Sequence, residues 1–148
     1  MTLKVSQGLR DKLMVTGSLK ATMDLGFIRI YAGAVPATAN DALGAATLLC
    51  TISVSSGATG LTFATTVASA GVAQKTAAEV WSGVNAATGT ATFYRHVAVG
   101  DDGLLSTTQA RLQGNIAVSG AELNLSSVAL VAAATQTVDF YNVALPTL

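Results

Sequence analysis

The chain has 148 residues, eight basic and eight acidic side chains, zero net charge and a charged fraction of 11%, under half the roughly 25% usual in soluble domains. This length holds one domain with a proper core and is too short for two comfortable ones. Zero net charge gives no global field to attract nucleic acid or an anionic membrane, and 51% hydrophobic content is the reverse of a disordered composition.

The first 26 residues read as a helical arm in two pieces. Ser6 is placed to cap a helix, and Val5, Leu9 and Leu13 follow at i, i+4 and i+8 along one stripe. Gly17 interrupts, Ser18 caps a second turn, "LKATMDL", with Leu19 and Met23 aligned, and Gly26 is the expected stop. Lys4, Arg10, Lys12, Lys20 and Arg29 against Asp11 and Asp24 make residues 1–29 basic, and residues 30–148 carry the compensating acidic excess. Such an arm suits either docking on a neighbouring subunit, with Leu9, Leu13, Leu19 and Met23 as apolar anchors, or covering one open end of its own body. The expected division is an arm over 1–25 and a β domain over 26–148.

From Gly26 the period becomes two. In "FIRIYA" (27–32) Ile28 and Ile30 share one face, with Phe27, Arg29 and Tyr31 on the other, and Leu48, Cys50, Ile52 and Val54 alternate with Leu49, Thr51, Ser53 and Ser55. "PATANDALGAA" (36–46) reads as a loop. Further strands are expected near 60–64, 71–75, 79–85, 89–99, 110–118, 123–130 and 136–145, with "SSGATG", "VNAATG", "GDDG" and "SGAE" as turns between them. The fold class this predicts is all-β, an antiparallel sandwich of jelly-roll-like form with a short N-terminal helical arm. The 33 residues from Ala42 to Gln74 contain no charged side chain, so Thr and Ser must supply the wet face. Edges without Lys or Glu are either hidden or used, which makes assembly the economical expectation.

Reactive groups are few. His96, the sole histidine, alternates with Thr92 and Tyr94 and reads as a hydrogen-bonded structural residue; no carboxylate or cysteine stands at ligand spacing from it, so no metal site is expected. Cys50 is alone, shares the apolar face of its strand and reads as a buried thiol. The sequence has no G-x-S-x-G elbow, P-loop or G-x-G-x-x-G, hence no predicted enzyme and no cofactor. "GDDG" (100–103) offers two carboxylates where Ca²⁺ wants six or more oxygens, and reads as a plain turn. Trp81 belongs to a core cluster, with a sugar-stacking platform as the alternative. A hairpin of 79–84 and 90–97 around "NAAT", with Trp81 opposite Phe93, would set Glu79 across from Arg95 as an inward, structural ion pair. "VALVAAAT" (128–135) is far short of the ~20 residues of a spanning helix, and "MTLKVSQGLRDK" lacks a signal peptide's apolar region, so folding in a reducing cytoplasm is expected.

The stretches "SQGLRDKLM", "FIRIYAGAVPATANDAL", "LLCTISV", "TGLTF", "AAEVWSGVNAATGTATFYRHV", "GDDGLLSTTQARLQGNIAVSGAELNLSS" and "ATQTVDFYNVALP", taken in order, resemble a group of small virion structural proteins of tailed double-stranded DNA bacteriophages. The resemblance covers nearly the whole chain and includes no catalytic signature. It implies a non-enzymatic β-sandwich protein of the particle, assembled in the bacterial cytoplasm. The most similar role is capsid decoration, or cement, with the major capsid protein and further copies of itself (a symmetric dimer or trimer) as partners. The same fold also serves in tails, collars and baseplates, and a host-surface or carbohydrate-binding module is a further alternative.

Overall fold

A computed structural model describes residues 3–66 and 71–144. Residues 1–2 of the expected arm, residue 145 of the last expected strand and the domain's final residues 146–148 lie outside these. In chain order the elements are β1 (Lys4–Val5), α1 (Gln7–Val15), α2 (Leu19–Met23), β2 (Phe27–Ala32), β3 (Thr47–Val54), β4 (Val72–Gln74), β5 (Trp81–Val84), β6 (Gly89–Thr90), β7 (Phe93–Val97), β8 (Arg111–Ala117), β9 (Leu123–Asn124), β10 (Ala129–Leu130), β11 (Thr135–Thr137) and β12 (Asn142–Ala144). The protein is all-β and sandwich-like with a two-piece helical arm. Each stretch with period-two alternation contains a strand or, at 61–63, bridge residues, and 36–46 is a loop.

The main sheet has eight strands, in the order β1-β8-β7-β2-β3-β5-β11 with β9 added to β8. All its pairings are antiparallel except β8 with β9. Cross-strand register sorts side chains into two faces. Ile28, His96, Leu112 and Ile52 form one row and Ile30, Tyr94, Gly114 and Cys50 the next, both on the inner face. Over that face lies a small second layer, where β12 pairs β4 and Phe63 bridges to Lys75. The core between the layers holds Leu61, Phe63, Trp81, Tyr141 and Val143 against the inner rows. Bare edges are blunted by brevity: β1 has two residues and β11 three.

The arm closes on its own body. Ser6 and Ser18 cap α1 and α2 as their positions predict, accepting hydrogen bonds from the amides of Leu9 and Ala21. The stop after α2 is not Gly26 but Leu25, which takes a left-handed conformation at φ 64° and is held there by an amide bond to the Leu61 carbonyl. Gly26 serves packing instead, since a Cβ there would overlap the Val97 carbonyl. Leu9 and Met23 are fully buried in the core, and Leu13 and Leu19 pack against it half-buried. Of these four candidates for a subunit contact, Leu9 and Met23 are therefore spent on the chain's own sandwich, whereas Leu13 and Leu19 keep part of their surface; an amphipathic stripe marks a buried face without saying whose core buries it.

Ser6 is the joint between arm and sheet. Its Oγ accepts from the amides of Leu9 (3.2 Å) and Arg111 (2.9 Å) and donates to the Gln109 carbonyl (2.9 Å). Ser6→Ala removes a helix cap and orphans a buried amide, so a loss of about 2 kcal/mol is expected, measured as a shift in the urea midpoint. Ser18→Ala, at an exposed cap, is the control and costs about 1 kcal/mol or less.

Candidate interaction surface

The outer face of the main sheet carries an arginine cluster. The register places Arg29 opposite Arg95 and Arg95 opposite Gln113, while Arg111 is opposite Val97 and Val97 opposite Phe27. Three guanidinium groups gathered on one face need partners, and two loops deliver them. Arg111 is fully buried: Nε meets Asp101 Oδ2 at 2.5 Å, Nη2 donates to the Leu104 carbonyl at 2.8 Å and to Gln109 Oε1, and Nη1 reaches the carbonyls of Ala39 and Asn40. Arg95, also fully buried, donates Nε to Gln113 Oε1 at 2.8 Å and Nη2 to the Thr38 carbonyl at 3.4 Å, whereas Nη1 has no partner among the described residues. Burial, helped by the neighbouring Arg111 charge, pulls the Arg95 pKa down. Arg29 keeps about a quarter of its side chain exposed and donates to the Asp101 carbonyl at 3.2 Å, with the Asp101 carboxylate 3.6 Å away.

The "GDDG" turn is thus more than a turn. Gly100 and Gly103 adopt φ of 83° and 76°, a left-handed geometry that glycine takes without strain, and this folds Asp101 inward while Asp102 faces solvent. Asp101 accepts from the Gly103 amide and Asp102 from the Leu104 amide, and the latter bond chiefly holds the Asp102 carboxyl below its ordinary pKa. The result pins loops 36–46 and 100–109 onto the outer face.

Between these loops and the sheet lies an open groove of about 740 Å³. Phe27, Tyr31, Leu43, Leu48 and Leu104 supply its apolar walls, Arg29 its cationic floor and Asp102 part of its rim. Tyr31 stacks on Phe93 at 5.1 Å, which fixes that wall. Leu104 and Leu105 stand 63% and 70% exposed beside it. The groove can take an apolar side chain and a carboxylate together, the usual mixture of a ligand or partner site.

On the inner face the aromatic groups are consumed by packing. Tyr141 sits at the centre, 5.5 Å from His96, 5.7 Å from Trp81, 5.9 Å from Tyr94 and 6.1 Å from Phe63, ring centroid to centroid. His96 shares a 3.3 Å hydrogen bond with the Tyr141 hydroxyl, and burial depresses its pKa to about 3, so it is neutral. Burial likewise raises Tyr94 and Tyr141, and lifts the Cys50 thiol to about 11. The Trp81 indole is 1% exposed and donates to Glu79 Oε2 at 2.7 Å, so Trp81 offers no face for a sugar to stack on.

The expected Glu79–Arg95 pair does not form. β5 pairs with β3 and β11, not with β7, so Trp81 faces Val54 and Phe93 faces Tyr31 and Asn115. Glu79 instead accepts from the amide and hydroxyl of Thr62 and from Trp81, closing the second layer onto β5, while Arg95 lies in the outer cluster. Gly83 explains the choice of neighbour. A Cβ there would overlap the Thr51 carbonyl, so only glycine lets β5 approach β3 this closely. Among the described residues no group of three or more His, Cys, Asp and Glu is arranged to hold a metal ion, and no helix is long and apolar enough to cross a membrane. No protein-family model, curated protein or solved structure matches the chain.

Proposed function

We propose that the protein is a structural component of a tailed-phage virion, most specifically a capsid decoration protein that joins neighbouring capsomers by non-covalent contact. The observation that carries this reading is the outer groove with its flanking exposed leucines. It is held open by a buried ion network on a body that spends its histidine, its cysteine and its tryptophan on packing. The sequence resemblance to small virion proteins supports the same role. A cement protein needs apolar centres within roughly 800 Å² of contact per partner, and repetition over a shell multiplies modest affinity through avidity. Its proposed partners are the major capsid protein and further copies of itself.

The test is sedimentation of the purified protein with phage heads that lack it. Saturable co-sedimentation at a fixed ratio to the major capsid protein, with heads that then resist heat better, is the expected result. Protein that stays in the supernatant with heads, yet binds isolated tails, moves the role to tail or collar. Binding to neither removes the virion reading.

A further inference from the structure

The most exposed aromatic side chain in the described structure is Phe140, at 87%. It lies with Asp139 in the four-residue connection between β11 and β12, and this connection is tethered at both ends. Val138 is buried and its amide bonds to the Trp81 carbonyl at 2.8 Å; Tyr141 is buried in the aromatic centre and its carbonyl accepts from Lys75 at 2.9 Å. Asp139 and Phe140 are therefore consecutive exposed residues, an acid and an aromatic, on a knob anchored at both ends. No side-chain hydrogen bond or ion pair engages the Asp139 carboxylate among the described residues.

The groove on the outer face has the complementary chemistry. Phe27, Tyr31 and Leu48 offer an apolar wall, and Arg29 offers a partly exposed guanidinium. Around it, Arg29, Arg95 and Arg111 are balanced by Asp101, Asp102 and Asp41, and Arg29 is the one of the three whose side chain reaches solvent and can meet an incoming carboxylate. The two features cannot meet within one molecule. Tyr141 anchors the knob over the inner face, against His96, whereas Arg29 and Tyr31 point from the outer face of the same sheet.

We propose that the groove receives the Asp139–Phe140 knob of a second copy of this chain, with Phe140 against the Phe27–Tyr31–Leu48 wall and the Asp139 carboxylate on Arg29. This deepens the virion reading and rests on it only for biological purpose. The contact joins two different surfaces, so it is heterologous: it propagates into a ring or a chain instead of closing as a two-fold dimer. Of the symmetric dimer or trimer expected from the sequence, such a contact is incompatible with the dimer and compatible with a three-membered ring.

Sedimentation velocity across the micromolar range tests it with three proteins. The wild type is expected to associate beyond a dimer as concentration rises. Phe140→Ser removes the knob and Leu104→Asp places an acid at the groove mouth; each is expected to weaken association about thirtyfold or more, as loss of a central anchor does. Both sites are exposed, and unchanged thermal melting confirms that each variant is folded. An equimolar mixture of the two variants retains one good knob and one good groove, and is expected to form dimers that grow no further. A monomeric wild type, a Phe140→Ser protein that associates like the wild type, or a mixture that stays monomeric overturns the inference. A monomer that still saturates phage heads would overturn this contact and leave the virion role standing.

Discussion

Arg111→Met is expected to cost the fold about 3–5 kcal/mol, a large part of the roughly 5–15 kcal/mol that holds a domain of this size together. The guanidinium has no exposed surface, and its Nε is 2.5 Å from the Asp101 carboxylate, itself only 2% exposed. Methionine fills a similar volume but leaves that carboxylate buried beside Arg29, whose nearest nitrogen is 3.6 Å away and whose side chain is about a quarter exposed. The substitution also frees the carbonyls of Ala39, Asn40 and Leu104, so both loops that wall the groove lose their tether. The urea midpoint measures the effect. Pairing the change with Asp101→Leu removes the stranded charge and should recover more than half of the loss, because an ion pair is costly to halve and cheap to replace whole. A single variant as stable as the wild type would show that the network is not what pins the loops.

Acid will unfold the protein through His96. Its pKa falls from an ordinary 6.5 to about 3 on burial, with no compensating charge among the causes. Because the folded value is the lower one, the unfolded chain binds the extra proton first. The contribution is whole above pH 6.5 and is lost as pH drops toward 3, at a slope approaching 1.4 kcal/mol per pH unit and about 5 kcal/mol in all. Carboxylates titrate in the lower part of the same window, so the informative quantity is the difference between wild type and His96→Gln. The variant starts less stable, having lost ring packing against Phe63, Trp81 and Tyr141, but its stability should fall less steeply between pH 6.5 and 4.5. Parallel curves would mean that His96 is not held neutral by the fold.

Local structure was legible because the longer strands alternate an inward apolar phase with a second one, Thr and Ser in β3 and Arg, Gln or Asn in β2, β7 and β8, and because Ser6 and Ser18 are cap residues placed just ahead of amphipathic turns. Pairing was not. A hairpin between 79–84 and 90–97 is the cheapest guess from chain proximity, yet the intervening segment carries β6 away to β10, and Thr92 then delivers β7 to β2 through bonds to the Tyr31 and Gly33 carbonyls. The error removed the Glu79–Arg95 pair with it. The arginine cluster was missed for a related reason: Arg29, Arg95 and Arg111 stand far apart in sequence and become neighbours only through the β2-β7-β8 order. One signal was present. Each of the three occupies the outer phase of an alternating strand, and "GDDG" supplies two carboxylates that a plain turn does not need. The arm's stripe leaves lid and docking helix equally open, because periodicity marks an apolar face without naming its cover; the burial of Leu9 and Met23 in the same chain shows that part of that face covers its own body.

The central claim is that this body works through its surfaces, as a repeated part of a particle. A cryo-EM reconstruction of the intact phage tests it most directly. The account predicts density for this fold at symmetry-related positions on the head, with outer grooves occupied by a neighbouring copy's Phe140 turn. A mature particle with no such density on head, collar or tail, from cells that make the protein abundantly, would contradict it.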